Sequence, residues 1–318
     1  MIRRILFSPV ARIGMALVLL LLLFWWANPI GAIGLLIDAA PGMILVLVIG
    51  FGAIIACNTL AVAWTIRHVS RVPFRVVFRT YLYSWSAEFY FPGKLGMFSL
   101  AYFLKKENVE VGASIATILL MKLTMLMLLM VLGTIELMKI VSMADLLVYA
   151  GIAAVGFGGL IGLFFTKTGR DFLKRTVLRQ HAVHFSGFSR ALQNMIDQPH
   201  RIIGLILLML GSISVNAWMV QTLFGMAGYP FSFFTILTIV SSVILVGLIP
   251  LSINGLGIKE GALVLLMQLH GVPPDISAGI GLLSTAVGYL LSFGVAILIL
   301  KQIPSEKWGV LPSARDHA

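Results

Sequence analysis

The segment Pro250-Leu-Ser-Ile-Asn-Gly-Leu-Gly-Ile-Lys-Glu-Gly261 interrupts a strongly apolar part of the chain with a proline, glycines, an asparagine and two opposite charges. A charged side chain near the centre of a bilayer costs about 3 kcal/mol on insertion scales. Non-helical backbone at that depth is tolerated only where it is buried in protein or lines a watery cavity. The segment therefore predicts a broken helix at a functional site inside a membrane.

Composition assigns the whole chain to the membrane. The 318 residues are 59% hydrophobic and only 11% charged, whereas a typical soluble domain is about 25% charged. We therefore expect an all-α polytopic membrane protein with a single integral membrane domain, residues 1–318. The net charge of +11 is explained by basic loops, so no nucleic-acid partner is expected. The single cysteine, Cys57, excludes a disulfide framework and a thiolate metal site.

Hydrophobic segments long enough to span a bilayer need about 20 residues, and six stretches fit: 13–29, 43–66, 111–138, 146–166, 202–226 and 276–300. The first also resembles a signal peptide, but the spans that follow favour an uncleaved helix. Two further stretches, 81–104 and 231–269, are interrupted. If each enters and leaves on the same side, almost all basic loops are cytoplasmic. We therefore predict about six transmembrane helices plus two re-entrant helical hairpins, cytoplasmic termini and a location in the plasma (inner) membrane.

The two predicted hairpins enter from opposite faces, and each is preceded by two spans and followed by one. This order is typical of an inverted repeat with halves at about 10–140 and 141–301, in which paired broken helices mark a midplane binding site. Residues 168–200 predict a cytoplasmic interfacial helix. Its apolar side includes Phe188 and Met195, and its basic residues suit anionic headgroups.

Helix-breaking residues divide both hairpins. They are Pro92, Gly93 and Gly96 in the first hairpin and Pro250, Gly255 and Gly257 in the second. The helix that starts after each break has an N-terminus with free N–H groups, which attracts anions. Lys94 lies beside the first break. It is either a phosphate ligand or a loop lysine whose side chain extends to the membrane–water interface. Lys259 and Glu260 lie beside the second break. They are either ligand-binding groups or a structural ion pair.

Other polar groups near membrane depth need partners. Lys122 lies deep in the stretch 111–138 and must face the protein interior. Glu88 is its natural partner, either as a structural pair or with a substrate role for one of them. Arg79 is placed to meet a headgroup phosphate or simply to set topology, and Asn216 and Gln221 are expected to make interhelical hydrogen bonds. The candidate substrate-binding residues are Lys94, Lys122, Asn254, Lys259, Glu260, Arg79 and Glu88.

Catalytic motifs are missing from the sequence. There is no Ser/His/Asp constellation, no HExxH motif, no phosphate-binding loop and no Cys/His cluster. We therefore expect no metal, no cofactor and no enzymatic activity of the chain itself.

The second break resembles a family signature. Residues Pro250 to Glu260 are similar to the P-x-x-x-x-G-x-G-x-R/K-E pattern of the lysylphosphatidylglycerol synthase transmembrane region, a flippase-like membrane family. Phe91-Pro-Gly-Lys-Leu-Gly96 resembles the P-G-x-x-G element of that family's first hairpin. In the family, the helix after this hairpin carries a Glu-Arg pair, and this chain has Met121-Lys122 at those positions. Because the glutamate of the pair is missing, Glu88 is favoured as the partner of Lys122. The resemblance covers residues 10–300, without the soluble aminoacyl-transferase domain that some members carry.

The resemblance implies movement of polar-headed lipids between leaflets. We therefore expect a lipid flippase that moves a phosphate-bearing headgroup through a cationic midplane cavity, with anionic or polyprenyl-linked membrane lipids as partners. The alternative is a membrane-embedded subunit or accessory of a glycolipid or aminoacyl-lipid synthesis system, which would make a lipid-modifying enzyme a further partner. A purely structural pair of broken helices remains the third interpretation.

Overall fold

The computed structural model describes residues 33–67, 70–91, 96–138, 187–248 and 252–302, with a few isolated positions before 33 and between 151 and 168. The described chain is helical, as predicted. Its helices are α1 (Ile33–Ile66), α2 (Phe74–Tyr90), α3 (Ser99–Lys105), α4 (Val111–Leu137), α5 (Phe188–Ile196), α6 (Pro199–Met226), α7 (Phe233–Gly247), α8 (Ile258–Gln268) and α9 (Pro274–Gln302). A short 3₁₀ turn, Ile253–Gly255, lies between α7 and α8.

Four of these helices are long and apolar enough to cross a bilayer. They contain the stretches Pro41–Ile66, Val111–Glu136, Pro199–Met226 and Pro274–Ile299, which confirms four of the six predicted spans. The other two, 13–29 and 146–166, lie outside the described residues. Helix α1 starts earlier than predicted, at Ile33, and continues through Pro41, at the cost of one backbone hydrogen bond.

Both interrupted stretches form a helix, a break and a second helix whose two arms pack against each other. In the first hairpin α2 is followed by a 3₁₀ turn at 96–98 and by α3. In the second, α7 has 15 residues and α8 has 11, so they extend about 22 and 16 Å at 1.5 Å per residue. Neither arm reaches the roughly 30 Å of a bilayer core. Their re-entrant insertion from opposite faces stays a prediction.

The packing of the two halves is reciprocal. Helices α1 and α6, which precede the two hairpins, pack along each other. Helix α4, which follows the first hairpin, packs on α7 of the second, and α9, which follows the second, packs on α2 of the first. This exchange places each hairpin against the helix that follows the other hairpin, and the internal repeat stays a prediction.

Helix α5 is the described part of the predicted interfacial segment. Phe188 and Met195 on its apolar side are 8% and 2% exposed, and they pack in one core cluster with Val109, just before α4, and with Ala113 and Ala116 near its start. This side therefore contacts protein instead of lipid headgroups, because α4 supplies the apolar surface that the helix needs. Its charged side is exposed, and Arg190 lies 3.8 Å from Glu110.

Candidate functional site

A cavity of about 310 Å³ lies between the two hairpins and is lined from α1, α2, α4, α6, α7, α8 and α9. Its wall is mostly aromatic and aliphatic, with a small set of polar side chains among them. The 3₁₀ turn at the tip of the second hairpin packs against α2 of the first. Tyr289 ties α9 to the first hairpin, since its hydroxyl donates to the carbonyl of Phe89 in α2 at 3.3 Å.

Five of the candidate substrate-binding residues line this one cavity: Glu88, Lys122, Asn254, Lys259 and Glu260. Arg79 does not. It makes an exposed ion pair with Glu107 at 2.7 Å, because nine residues of helix separate it from Glu88 by about 13 Å along the axis of α2. Lys94, Pro92, Gly93 and Pro250 lie outside the described residues.

Lys122 and Glu88 form a close ion pair on the cavity wall, with Nζ 2.5 Å from Oε1. The pair links α4 to α2, as expected from the sequence. The Glu88 side chain is 15% exposed and that of Lys122 is 39% exposed, so the lysine is partly open to the cavity. The pair satisfies a charge that α4 would otherwise bring to membrane depth without compensation.

Breaking this pair should destabilise the protein. Losing one partner of a buried ion pair costs about 3–5 kcal/mol, and we expect about 1–2 kcal/mol for Lys122→Met because exposure of the lysine weakens the interaction. The double variant Lys122→Met/Glu88→Gln should recover part of that loss. Thermal unfolding in detergent measures the coupling between the two positions. Effects that simply add in the double variant would contradict a pairwise interaction.

Glu260 is bound within the protein. It is 2% exposed, its Oε2 accepts a hydrogen bond from the backbone N–H of Gly257 at 2.7 Å, and its Oε1 accepts one from the Thr285 hydroxyl. The carboxylate therefore compensates the positive end of α8 and ties the hairpin to α9. The Lys259–Glu260 ion pair considered from the sequence does not form. Glu260 lines the cavity while serving as an N-terminal cap.

The surroundings of Lys259 differ from those of Glu260. Within the described residues its ammonium has no hydrogen-bonding or ion-pairing partner. Its aliphatic stem passes over two glycines. A β-carbon on Gly247 would lie 2.5 Å from the Lys259 Cγ, and one on Gly255 would lie 3.2 Å from it. These glycines leave the space in which the lysine reaches the cavity wall.

The backbone before α8 has the left-handed conformation that a sharp break requires. Asn254, Gly255 and Gly257 have φ angles of 51°, 72° and 80°. Glycine adopts this conformation without a steric cost, and asparagine is one of the few other residues that does so readily. The break therefore follows from the composition of the segment and places Asn254, 8% exposed, on the cavity wall.

The described charges of the cavity balance. Two lysines and two glutamates line it, a formal net charge of zero, whereas a cationic cavity was predicted. Glu88 compensates Lys122, and the positive N-terminal end of α8 compensates Glu260, so among the described lining residues Lys259 carries the uncompensated charge. Any attraction of this described part of the wall for an anion therefore comes from the Lys259 side chain.

Asn216 is a cavity residue to which the sequence did not assign a ligand role. Within the described residues its side chain makes no hydrogen bond, and it lines the cavity from α6; the expected interhelical hydrogen bond is therefore not present there. Gln221, five residues later, makes a hydrogen bond to the carbonyl of Phe231, which lies in the loop before α7, at 2.8 Å, so it too is not bonded to another helix. The sequence shows an asparagine within an apolar span, which indicates a polar environment for its side chain. Whether that side chain faces a neighbouring helix or the cavity depends on how the helices pack.

The sequence also left Glu136 and His270 unassigned. Glu136 is fully buried near the end of α4, and its Oε1 lies 2.7 Å from the Nε2 of His270. A carboxylate close to the end of an apolar span is a feature of the sequence that indicates a buried polar contact. The identity of its partner His270, 134 positions away, could not be inferred from the sequence.

The fold and cavity define a polytopic helical membrane protein with a polar-lined internal site between two helical hairpins. The chain belongs to the family described as the lysylphosphatidylglycerol synthase transmembrane region, whose model matches residues 12–296. This confirms the family inferred from the second break. Among curated proteins and solved structures, none matches the chain.

Proposed function

We propose that this protein is a lipid translocator that passes a phosphate-bearing headgroup through the cavity while the acyl chains stay in the bilayer. The observation that carries the proposal is the uncompensated ammonium of Lys259 on the cavity wall. An isolated charge in apolar surroundings costs several kcal/mol unless it is paired. An anionic ligand offsets that cost, and a headgroup phosphate is the anion that a membrane supplies.

The remaining cavity lining suits an amphiphile. Ligand sites of about 300–1,000 Å³ are typically apolar with a few placed polar groups, and this cavity has about 310 Å³. Asn216 and Asn254 supply hydrogen-bonding groups, and the Glu88–Lys122 pair adds a second polar point on the wall. The family's name refers to lysylphosphatidylglycerol, which is a phospholipid, and this also supports a lipid ligand.

The proposal includes the partners and the setting. Membrane lipids, anionic or polyprenyl-linked, are the ligands, the membrane is the plasma (inner) membrane, and both termini are cytoplasmic. The protein acts as a transporter and not as an enzyme. A lipid-modifying enzyme that makes or uses the moved lipid is a natural partner.

Reconstitution tests this function. The purified protein is placed in phosphatidylglycerol-containing vesicles with a fluorescent phosphatidylglycerol in both leaflets, and dithionite reports the fraction that becomes accessible from outside. Protein should raise that fraction. Lys259→Ala should slow the movement about tenfold to a hundredfold, since a hydrogen bond to a charged group is worth about 1.5–3 kcal/mol and about 1.4 kcal/mol is tenfold in rate.

Two control variants separate charge at the cavity from charge in general. Lys259→Arg keeps the cation and should retain a substantial part of the movement. Lys105→Ala removes an exposed cation at the end of α3 and should change nothing. If no lipid class tried, including a polyprenyl phosphate, moves faster with protein present, or if Lys259→Ala is as active as the parent, the proposal is wrong.

The family name favours a second candidate function, an accessory role in a glycolipid or aminoacyl-lipid synthesis system. Lipid mass spectrometry after deletion separates the two functions. A product that is absent indicates a role in synthesis, whereas a product that is present in the wrong leaflet indicates transport.

A further inference from the structure

Three uncharged polar side chains form a distinct part of the cavity wall, where α1 packs along α6. They are Asn58 on α1 and Ser212 and Asn216 on α6, and all three line the cavity; we call them the polar subsite. Ser212 lies near the middle of α6, which extends from Pro199 to Met226. Unpaired polar groups at this depth of a membrane helix are costly, so the partners of these residues require an explanation.

One interhelical hydrogen bond fixes the orientation of the Asn58 amide. Its Nδ2 donates to the carbonyl of Ile54 at 2.8 Å and to the hydroxyl oxygen of Ser212 at 2.9 Å. Because a backbone carbonyl only accepts, the Asn58 atom beside Ile54 must be the nitrogen. Both N–H groups of this amide are therefore used within the protein, and its oxygen Oδ1 is left as an acceptor.

Each member of the polar subsite keeps unused hydrogen-bonding capacity. Within the part of the chain that the structure describes, no donor reaches Asn58 Oδ1, and the Ser212 hydroxyl, on a residue 3% exposed, donates to no acceptor. Asn216 follows Ser212 by one helical turn, which places it on the same face of α6, and its amide has two donor hydrogens and one acceptor oxygen. The subsite therefore presents both donors and acceptors to the cavity.

This mixture of donors and acceptors favours one chemical class of ligand. An ammonium group only donates, so it would leave the Ser212 hydroxyl proton without an acceptor, and a phosphate oxygen only accepts, so it would leave Asn58 Oδ1 without a donor. A hydroxyl group does both. Water satisfies the subsite when no ligand is bound, and a ligand that displaces this water without replacing its hydrogen bonds loses affinity. Neighbouring hydroxyl groups on the ligand meet this requirement.

We propose that the polar subsite binds the hydroxyl groups of a headgroup whose phosphate is bound by Lys259, which lines the same cavity of about 310 Å³. The ligand is therefore the phosphate ester of a polyol, such as glycerol or a sugar, and not of an amine. Lys259 supplies the attraction for the anion. The subsite supplies the discrimination, since a site built to bond a hydroxyl rejects an analogue that lacks it. That the ligand is a lipid rests on the proposed function, whereas the preference for hydroxyl groups does not.

Stabilisation by short-chain lipids tests the subsite without relying on transport. Thermal unfolding of the purified protein in detergent is measured against the concentration of dihexanoyl phosphatidylglycerol and of dihexanoyl phosphatidylpropanol, which has the same charge but lacks the headgroup hydroxyls. The shift in melting temperature gives a Kd for each lipid. Phosphatidylglycerol should bind about tenfold to a hundredfold more tightly, the net effect of two hydrogen bonds. Dihexanoyl phosphatidylethanolamine, whose ammonium only donates, should also bind more weakly than phosphatidylglycerol.

Variants on α6 assign the preference to the subsite. Asn216→Leu removes the amide and should lower the ratio of the two Kd values by about threefold to tenfold, the net effect of one hydrogen bond. Ser212→Ala should lower it similarly, and it replaces Asn216→Leu if that variant does not fold. Thr222→Val is the matched control, because the Thr222 hydroxyl donates to the carbonyl of Trp218 at 2.8 Å and lies outside the cavity lining; the ratio should not change.

Three results overturn the proposal. The first is a parent protein that does not distinguish phosphatidylglycerol from phosphatidylpropanol, which includes a protein that binds neither. The second is tighter binding of phosphatidylethanolamine than of phosphatidylglycerol. The third is a ratio equal to that of the parent in both Asn216→Leu and Ser212→Ala.

Lys259→Ala and vesicle assays distinguish this proposal from the proposed function. Lys259→Ala should weaken both lipids alike and leave their ratio unchanged, because both carry the same phosphate. A preference for phosphatidylglycerol without any lipid movement supports the subsite and rejects the translocator. Lipid movement that depends on Lys259, without such a preference, supports the translocator and rejects the subsite. Glycerol phosphate that stabilises the parent as strongly as the lipid, but not Asn216→Leu, supports the subsite with a soluble ligand and rejects a lipid one.

Discussion

Replacing Gly96 with alanine should open the first hairpin and lower the free energy of unfolding by about 3 kcal/mol, the upper part of the range for overpacking. The added carbon would lie 2.4 Å from the carbonyl carbon and oxygen of Ala87 and 2.5 Å from the amide nitrogen of Glu88. These are backbone atoms of α2, which cannot rotate away as a side chain can. The two arms must separate, and Glu88 must move with α2.

The same substitution at Gly52 is the matched control. Gly52 lies in α1, and a β-carbon there would meet nothing within 4 Å. Alanine is better than glycine in a helix interior by about 1 kcal/mol, so Gly52→Ala should leave the melting temperature unchanged or raise it. Thermal unfolding in detergent compares the two variants. A Gly96→Ala protein that melts with the parent would show that the arms are not in contact at this point.

Gly255→Ala should have the second large effect, at the tip of the other hairpin. Gly255 has a φ angle of 72°, which costs a residue with a side chain about 1–2 kcal/mol. Its β-carbon would also lie 2.8 Å from the carbonyl oxygen of Gly247, which adds about 1–3 kcal/mol of overpacking. We expect a total loss of about 3 kcal/mol and a displaced Lys259, so lipid movement should fall together with stability.

Gly271→Ala separates the two causes. Gly271 also has a positive φ angle, 78°, but a β-carbon there would meet nothing within 4 Å. This variant should therefore show only the conformational cost of about 1–2 kcal/mol. Equal losses of stability in Gly255→Ala and Gly271→Ala would mean that close contact at the hairpin tip contributes nothing.

Much of the architecture could be predicted from the sequence, because length and hydrophobicity determine a membrane span locally. Four long helices are where the apolar stretches are, and α7 and α8 are separated at the glycines that adopt positive φ angles. The Glu88–Lys122 pair could also be anticipated. A lysine in the middle of an apolar helix requires an anion, and few carboxylates lie near enough to membrane depth.

The partners of the other polar residues could not be predicted in the same way. From the sequence, Glu260 was either a ligand-binding group or part of an ion pair with Lys259; in the structure it accepts hydrogen bonds from Gly257 and from Thr285 on α9. Asn216 was expected to bond across helices and instead lines the cavity. In each case the helix was correctly placed, but the rotation of the helix about its axis selects the side chain's neighbours. That rotation depends on the packing of every adjacent helix.

The sequence by itself determined that this protein is a polytopic helical membrane protein with two broken helices and the signature of its family, because hydrophobicity and backbone preference act over a few residues. Only the tertiary structure decided which charges are compensated. It leaves Lys259 open to the cavity, binds Glu260 at a helix end, and joins Glu136 to His270 at the base of the second hairpin. Electrostatic compensation acts between atoms a few ångströms apart, and residues far apart in the chain reach that distance only when the helices pack.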